Sequence, residues 1–393
     1  MISIQTQHFN FHRIFLLAVG LWPYQQSWLV KFQLVLFFSI QISFILFQLT
    51  VFISAKCTPD LVIKVLSIVL LLIMYAIEYN SFRMNAQAVR CLFEQLQHIC
   101  NELKDENEIA IIKKYGNNAK RYAAILMLLY ICITIIMFLL PILPRLLGFV
   151  LHINATQPRV MQQLMPNYII DQGKHFYLIL LYMYAALLIG ATALVGIGMT
   201  LLSYLKHACG MFRIASYRIE KAITMWTNTR LENEIIIYKE IAYAVDIHCK
   251  AIKFSLFLLY SFRRSHILLI SVGVICLTLN LYAIAVNASH GGDVEQLLLH
   301  FLIAVIIFLY LFLANYAGQE ITDHNDYVYF TAYTVRWYTA SVHVQKLILF
   351  LLQRGSKTFS LNFGGVVSLS LELFAALTKA SLSYFTVIYS MQQ

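Results

Sequence analysis

Residues 360–393 read SLNFGGVVSLSLELFAALTKASLSYFTVIYSMQQ, and the fold turns on how that stretch is read. A Gly-Gly start leads into an apolar run. Roughly 20 such residues, at about 1.5 Å each, reach across a hydrocarbon core. The run nonetheless carries Glu372 and Lys379. Helical steps from Glu372 pass through Ala376, Lys379, Ser383, Val387 and Met391, which places them on one face, polar at its start and apolar at its end. A charge at mid-bilayer depth costs at least about 2.5–3.5 kcal/mol unless it meets water or a partner. Either this face lines an aqueous passage or Lys379 is buried against another helix. The passage is the favoured reading.

Composition widens that reading to the whole chain. It is 60% apolar and 12% charged over 393 residues, against about 25% charged in soluble domains. Mean hydropathy is +0.71. The expected class is all-α, a polytopic membrane protein. The net charge of +10 then belongs to loops facing the cytoplasm rather than to nucleic-acid binding. The seven cysteines are scattered with no CxxC spacing, which argues against a zinc site or a disulfide framework. The short run Ile14–Trp22, stopped by Pro23, is expected to be an interfacial or re-entrant helix.

Six further runs are long enough to cross: approximately 29–53, 61–79, 122–147, 176–205, 266–288 and 297–317, with the seventh at 361–390. Lys and Arg concentrate in the second connection (Arg83 to Arg121) and the fourth (Lys206 to Arg264). The first, third and fifth hold only Lys56, Arg145, Arg159 and Lys174. The even connections are therefore expected inside, with the N-terminus cytoplasmic and the C-terminus extracellular. The two N-x-[ST] sequons, at Asn154 and Asn287, fall in connections that would face outward and are candidate glycosylation sites.

Helical periodicity continues beyond the membrane runs, over about 206–263 and again over about 318–352. A polar turn is expected at Asn228–Glu234 and a break at Arg354–Lys357. Such amphipathic helices bury their apolar sides on one another or on a neighbouring subunit. The chain is thus expected to be one seven-helix domain with a cytoplasmic anchor.

No GxxxxGK[ST], HExxH or GxSxG occurs, and no two histidines pair at metal-ligand spacing. No enzyme activity, cofactor or metal is expected. The polar run Asp323–Asp326 is expected to be a solvated helix end. Gln33, Gln41, Gln48, Asn280 and His300 are expected to be interhelical hydrogen-bonding groups. A G-protein-coupled receptor is disfavoured, because its acidic-Arg-aromatic and Asn-Pro-x-x-Tyr motifs are missing and its N-terminus lies outside. A solute transporter using Glu372 and Lys379 as a coupling pair finds no inverted repeat to support it.

The C-terminal third resembles the end of an insect odorant receptor, most of all those of ants and bees. The Trp337-Tyr338 pair, the Gln345-Lys346-Leu347-x-Leu349 run and the Ser383-Tyr384-Phe385 stretch carry the resemblance. The inverted seven-helix layout extends it to the whole chain as a pattern. The resemblance implies a ligand-gated, non-selective cation channel in the plasma membrane of olfactory neuron dendrites. Tuned subunits would assemble there with a shared co-receptor, as a hetero-oligomer expected to be a tetramer. It places the gate on Val387, with Met391 one turn further out and Ser383 and Lys379 on the same wall. Ser390 stands where the co-receptor and many gustatory relatives carry Gln, and the co-receptor's long insertion between helices four and five is missing. Both departures favour an odour-binding subunit over the co-receptor or a gustatory-type receptor. Lys379 either adds positive charge to the pore wall, snorkels to the cytoplasm, or pairs with Glu372 of a neighbour.

The same resemblance places the odorant, a small volatile apolar molecule, in the outer half of the bundle. Suitable residues there are Leu71, Leu72, Tyr75, Thr134, Met137, Phe138, Tyr177, Leu180, Tyr184, Phe301, Val305 and Phe308. Any one of them is equally able to face lipid or the core. Burying roughly 200–300 Å² at about 25 cal/mol/Å² yields on the order of 5–7 kcal/mol before association costs, hence micromolar or weaker affinity.

Overall fold

A computed structural model of the chain describes residues 10–25, 27–54, 57–140, 172–228, 234–289, 294–355, 359, 361–363 and 367–391. The helices are α1 (Asn10–Ala18), α2 (Trp28–Leu49), α3 (Val51–Ser54), α4 (Pro59–Met84), α5 (Ala86–Glu102), α6 (Glu106–Leu139), α7 (Gln172–Asn228), α8 (Glu234–Ser289), α9 (Val294–Thr334), α10 (Val342–Gly355) and α11 (Leu371–Ser390). Among the described residues, seven helices are long and apolar enough to cross a membrane: α2 (with α3), α4, α6, α7, α8, α9 and α11. The fold is all-α, as composition predicts. A two-residue antiparallel pair precedes α11, with Asn362 opposite Ser368 and Phe363 opposite Val367.

Helix starts follow local chemistry. Thr58 accepts a hydrogen bond from Leu61 N at 3.3 Å ahead of Pro59 in the first turn of α4. Asp105 caps α6 by accepting from Asn107 N at 2.8 Å, and Ser370 caps α11 by accepting from Leu373 N at 3.1 Å. Each cap satisfies a backbone donor that the helix itself cannot.

Several boundaries differ from the sequence expectation. The last helix begins at Leu371, not near 361, because the hairpin and the Ser370 cap occupy the intervening residues. The third, fourth, fifth and sixth runs are parts of much longer helices. Their polar extensions continue the helix without a break, since i→i+4 bonding is indifferent to the solvent outside. The turn expected at Asn228–Glu234 falls mostly on 229–233, outside the described residues, as do 356 and 357 of the expected break.

Two apolar clusters divide the bundle along its length. One gathers Tyr79 and Phe82 of α4, α5, the second half of α7, the first half of α8, the end of α9, and α10. The other holds Val65–Ala76 of α4, the first half of α7, Leu269–Leu277 of α8 and Leu299–Leu311 of α9. Helix α1 is drawn into the first cluster. Leu16 is buried there, and His12 hydrogen-bonds Ser203 at 2.7 Å. A turn with Gly20 at φ +73° ends it, and Gln33 of α2 donates to Ala18 O at 2.8 Å.

Polar ties hold the first cluster in register. Arg218 of α7 grips Glu108 of α6 through two nitrogens, at 2.6 and 2.9 Å, and donates to Tyr243 O of α8 at 2.9 Å. Lys221 bonds Asp105 at 2.8 Å, and that contact holds the Asp105 carboxyl below its usual range. Lys206 pairs with Glu320, its ammonium lying over the Tyr122 ring. The Asp323–Asp326 run is a joint rather than a solvated end. His324 meets Tyr115 of α6 at 2.8 Å, and Asn325 meets His248 of α8 at 2.9 Å. A helix running on past the membrane keeps such residues inside a bundle.

Candidate functional site

The closing helix α11 is about 30 Å long at 20 residues. It packs one side only. Phe374 meets Phe308 and Phe312 of α9 edge-on at 5.0 and 5.4 Å. Ser381, fully buried, offers its carbonyl to Thr278 of α8 at 3.3 Å. Phe385, Ile388 and Tyr389 lie on Tyr282 and Leu279 of α8. Two residues along from Ser381 lies Ser383, and at 100° per residue the two point nearly opposite ways. The opposite side carries Glu372, Ala376, Lys379, Ser383, Val387 and Met391, all exposed. Val387 is 52% and Met391 81% exposed. Among the described residues neither Glu372 nor Lys379 has an ion-pair partner. Packing thus leaves free the face that helical counting picks out.

A cavity of about 240 Å³ lies between α4, α6, α7 and α9. Along α9 its wall runs from Ile303 to Ala317, roughly 21 Å of helix. Toward one end Phe138 and Tyr184 stack at 4.0 Å, with the Tyr184 hydroxyl donating to Phe138 O at 3.0 Å. The Tyr130 hydroxyl is engaged by Thr192 at 2.8 Å. Toward the other end the wall includes Leu369, which immediately precedes the Ser370 cap of α11. There α9 and the chain before α11 approach too closely for any side chain. A Cβ on Gly318 would sit 2.2 Å from Leu369 Cβ, and Ser370 N donates to Asn315 Oδ1 at 3.4 Å.

Of the residues expected in the pocket, Leu71, Tyr75, Thr134, Met137, Phe138 and Tyr184 line this cavity together. Leu72 and Leu180 do not. They are 1% and 8% exposed, packed into the apolar cluster behind the wall. Phe301, Val305 and Phe308 also lie elsewhere, because α9 turns Ile303, Ile306, Leu309, Tyr310 and Leu313 to the cavity. Phe301 is 53% exposed, and Phe308 packs on Phe374 of α11. Between Phe301 and Leu313 helix α9 is apolar on every side, so its sequence there holds no stripe from which to choose a face. The side chain of Tyr177 lies outside the described residues. Reading by helix halves also passed over Glu78, Tyr130, His266 and Tyr310. A lone acid inside an apolar run, as Glu78 is in α4, was the one signal available.

Asn154 lies outside the described residues. Asn287 sits in the helical end of α8 and is 8% exposed, so its amide must leave the packed surface before a glycan can be attached. His300 and Asn280 join α9 to α8 at 3.0 Å, as expected of such groups. Gln41 is buried with neither amide atom bonded among the described residues. Among the described residues no cluster of three His, Cys, Asp or Glu is placed to hold a metal.

The family model described as 7tm Odorant receptor matches residues 58–382. Among solved structures, the insect olfactory receptor OR5 from Machilis hrabei in complex with eugenol superposes with a TM-score of 0.78, at 16% identity over 97% of each chain. A second structure of that receptor superposes at 0.77, with 16% identity over 96% of each chain. At that identity the likeness is one of fold.

Proposed function

Since the chain belongs to the 7tm odorant receptor family, a family of multi-pass membrane receptors and not of enzymes, we propose that it is the odour-binding subunit of a ligand-gated, non-selective cation channel. The observation that carries this reading is the one-sided packing of α11. A lone protomer leaves the stripe from Glu372 to Met391 bare. A charged stripe is costly against lipid and is stabilised in water. Several protomers turning it toward a shared axis form a wet passage, closed near the outer end by Val387 and Met391, whose apolar ring excludes ions by dewetting. The partner is a shared co-receptor in a tetramer, in the plasma membrane of olfactory dendrites. The N-terminus and the extensions 206–263 and 318–352 lie in the cytoplasm, where exposed Phe330, Tyr333 and Phe350 meet neighbouring subunits.

The cavity is the ligand site in this reading, lined by Leu71, Tyr75, Thr134, Met137, Phe138 and Tyr184 together with the α7 and α9 walls. Its ligand is a small apolar odorant held by contact area. Two links join cavity to pore, both through α9: the Phe308 and Phe312 rings on Phe374, and the Asn315–Gly318 seat under Leu369 and Ser370. A ligand that displaces α9 therefore pulls on the root and the first turn of α11. The test is current in excised patches, without nucleotide, from cells expressing this chain with the co-receptor. Prompt odour-gated current is expected. A response that needs nucleotide or G protein, or a saturating flux without channel openings, overturns the proposal.

A further inference from the structure

The cavity wall is apolar save for a few hydroxyls, His266, and one carboxylate, Glu78. Glu78 lies about 25 Å along α4 from Leu61 and about 9 Å before Met84, within the span long enough to cross a membrane. It is 5% exposed, and the Tyr310 side chain of α9 lines the cavity beside it. Among the described residues no cation pairs with it. A carboxylate in such surroundings is costly unless it is both hydrogen-bonded and paired. A neighbouring tyrosine can offer a hydroxyl but no charge. Among the other cavity hydroxyls, those of Tyr130 and Tyr184 are engaged by Thr192 and by the Phe138 carbonyl. The unmet partner of this site is a cation that arrives with an apolar body.

Resting on the cavity being the ligand site, we propose that the cavity selects amines: an aliphatic ligand whose ammonium group pairs with Glu78 beside Tyr310, while its chain lies along the α6, α7 and α9 walls. The Phe138–Tyr184 stack bounds one end, and Glu78 and Tyr310 stand about midway along the wall, so the chain of the ligand points from them toward the stack. The assignment therefore specifies orientation as well as head group. Charge-assisted hydrogen bonds are roughly twice as strong as neutral ones, so the amine gains over neutral heads on the same chain.

The test uses the full chain with its co-receptor in lipid nanodiscs and displacement of the fluorescent probe N-phenyl-naphthylamine by octylamine, octanol and octanal. Octylamine is expected to displace at about tenfold lower concentration than either neutral compound, equivalent to about 1.4 kcal/mol. Glu78→Gln, nearly isosteric, is expected to remove that advantage while octanal displaces as before, which also shows that the variant is folded. Tyr310→Phe is expected to retain the preference, since the charge remains. Equal displacement by octanol and octylamine, no displacement by any of the three, or an amine preference that survives in Glu78→Gln each overturn the assignment. Current recorded from the same assembly separates the two proposals. Amine-selective binding without current counts against the channel reading and leaves the head-group assignment standing.

Discussion

Gly190 of α7 tests how tightly the cavity is defined. A Cβ placed on it would lie 2.3 Å from Cδ2, 2.7 Å from Cγ and 2.9 Å from Cβ of Tyr75. Ordinary contact begins near 3.4 Å, so Gly190→Ala requires the Tyr75 ring to retreat by about 1.1 Å. The ring is 4% exposed and backed by the α4 core, which leaves the 240 Å³ cavity as its free direction. Overpacking of this kind costs about 1–3 kcal/mol, against which alanine regains up to about 1 kcal/mol in helix propensity. The remainder falls on ligands that fill the cavity, and 1.4 kcal/mol is a factor of ten in affinity. In dose–response recordings with the co-receptor, bulky agonists are expected to lose about tenfold in potency and small ones markedly less. Gly198→Ala is the control: Gly198 lines the cavity itself, and a Cβ there meets nothing within 4 Å. Its effect is expected to be a few-fold at most. Potencies unchanged in Gly190→Ala at normal surface expression refute the placement of Tyr75 as a cavity wall.

Three further substitutions probe other parts of the molecule. Phe374→Ala deletes both edge-on ring contacts to α9, each worth about 0.5–1.5 kcal/mol beyond burial; unliganded current is expected to rise several-fold, and an unchanged resting current removes this link from the gating route. Arg218→Ala strands Glu108, which is 6% exposed at its side chain, and breaking a buried pair costs about 3–5 kcal/mol. The thermal midpoint in detergent should fall well below wild type, and a midpoint equal to wild type contradicts the role of that pair in holding α6, α7 and α8 together. Lys379→Ala should raise calcium relative to sodium permeability in single-channel records, because positive charge is removed from the passage; unchanged ratios turn Lys379 away from the pore.

Much of the architecture was legible one residue at a time. The number of crossing helices, their all-α character and the exposed stripe from Glu372 to Met391 follow from run length and helical spacing, which are properties of the chain alone. The α11 stripe could be read because it is amphipathic: its polar residues mark a side. Six of the residues expected in the pocket, on α4, α6 and the start of α7, line one cavity. Where a helix is apolar all round, sequence carries no such mark. Helix α9 offers Phe301, Val305 and Phe308 as readily as Ile303, Ile306 and Tyr310, and only the ring contact of Phe308 with Phe374 and the position of Gly318 against Leu369 settle its rotation. Burial decided Leu72 and Leu180 in the same way. Glu78 shows the converse: its oddity was visible in the sequence, but Tyr310, its neighbour in the cavity wall, lies 232 residues further along the chain. Spacing reports which residues share a helix face; which faces meet across a bilayer is decided by packing between helices far apart in sequence.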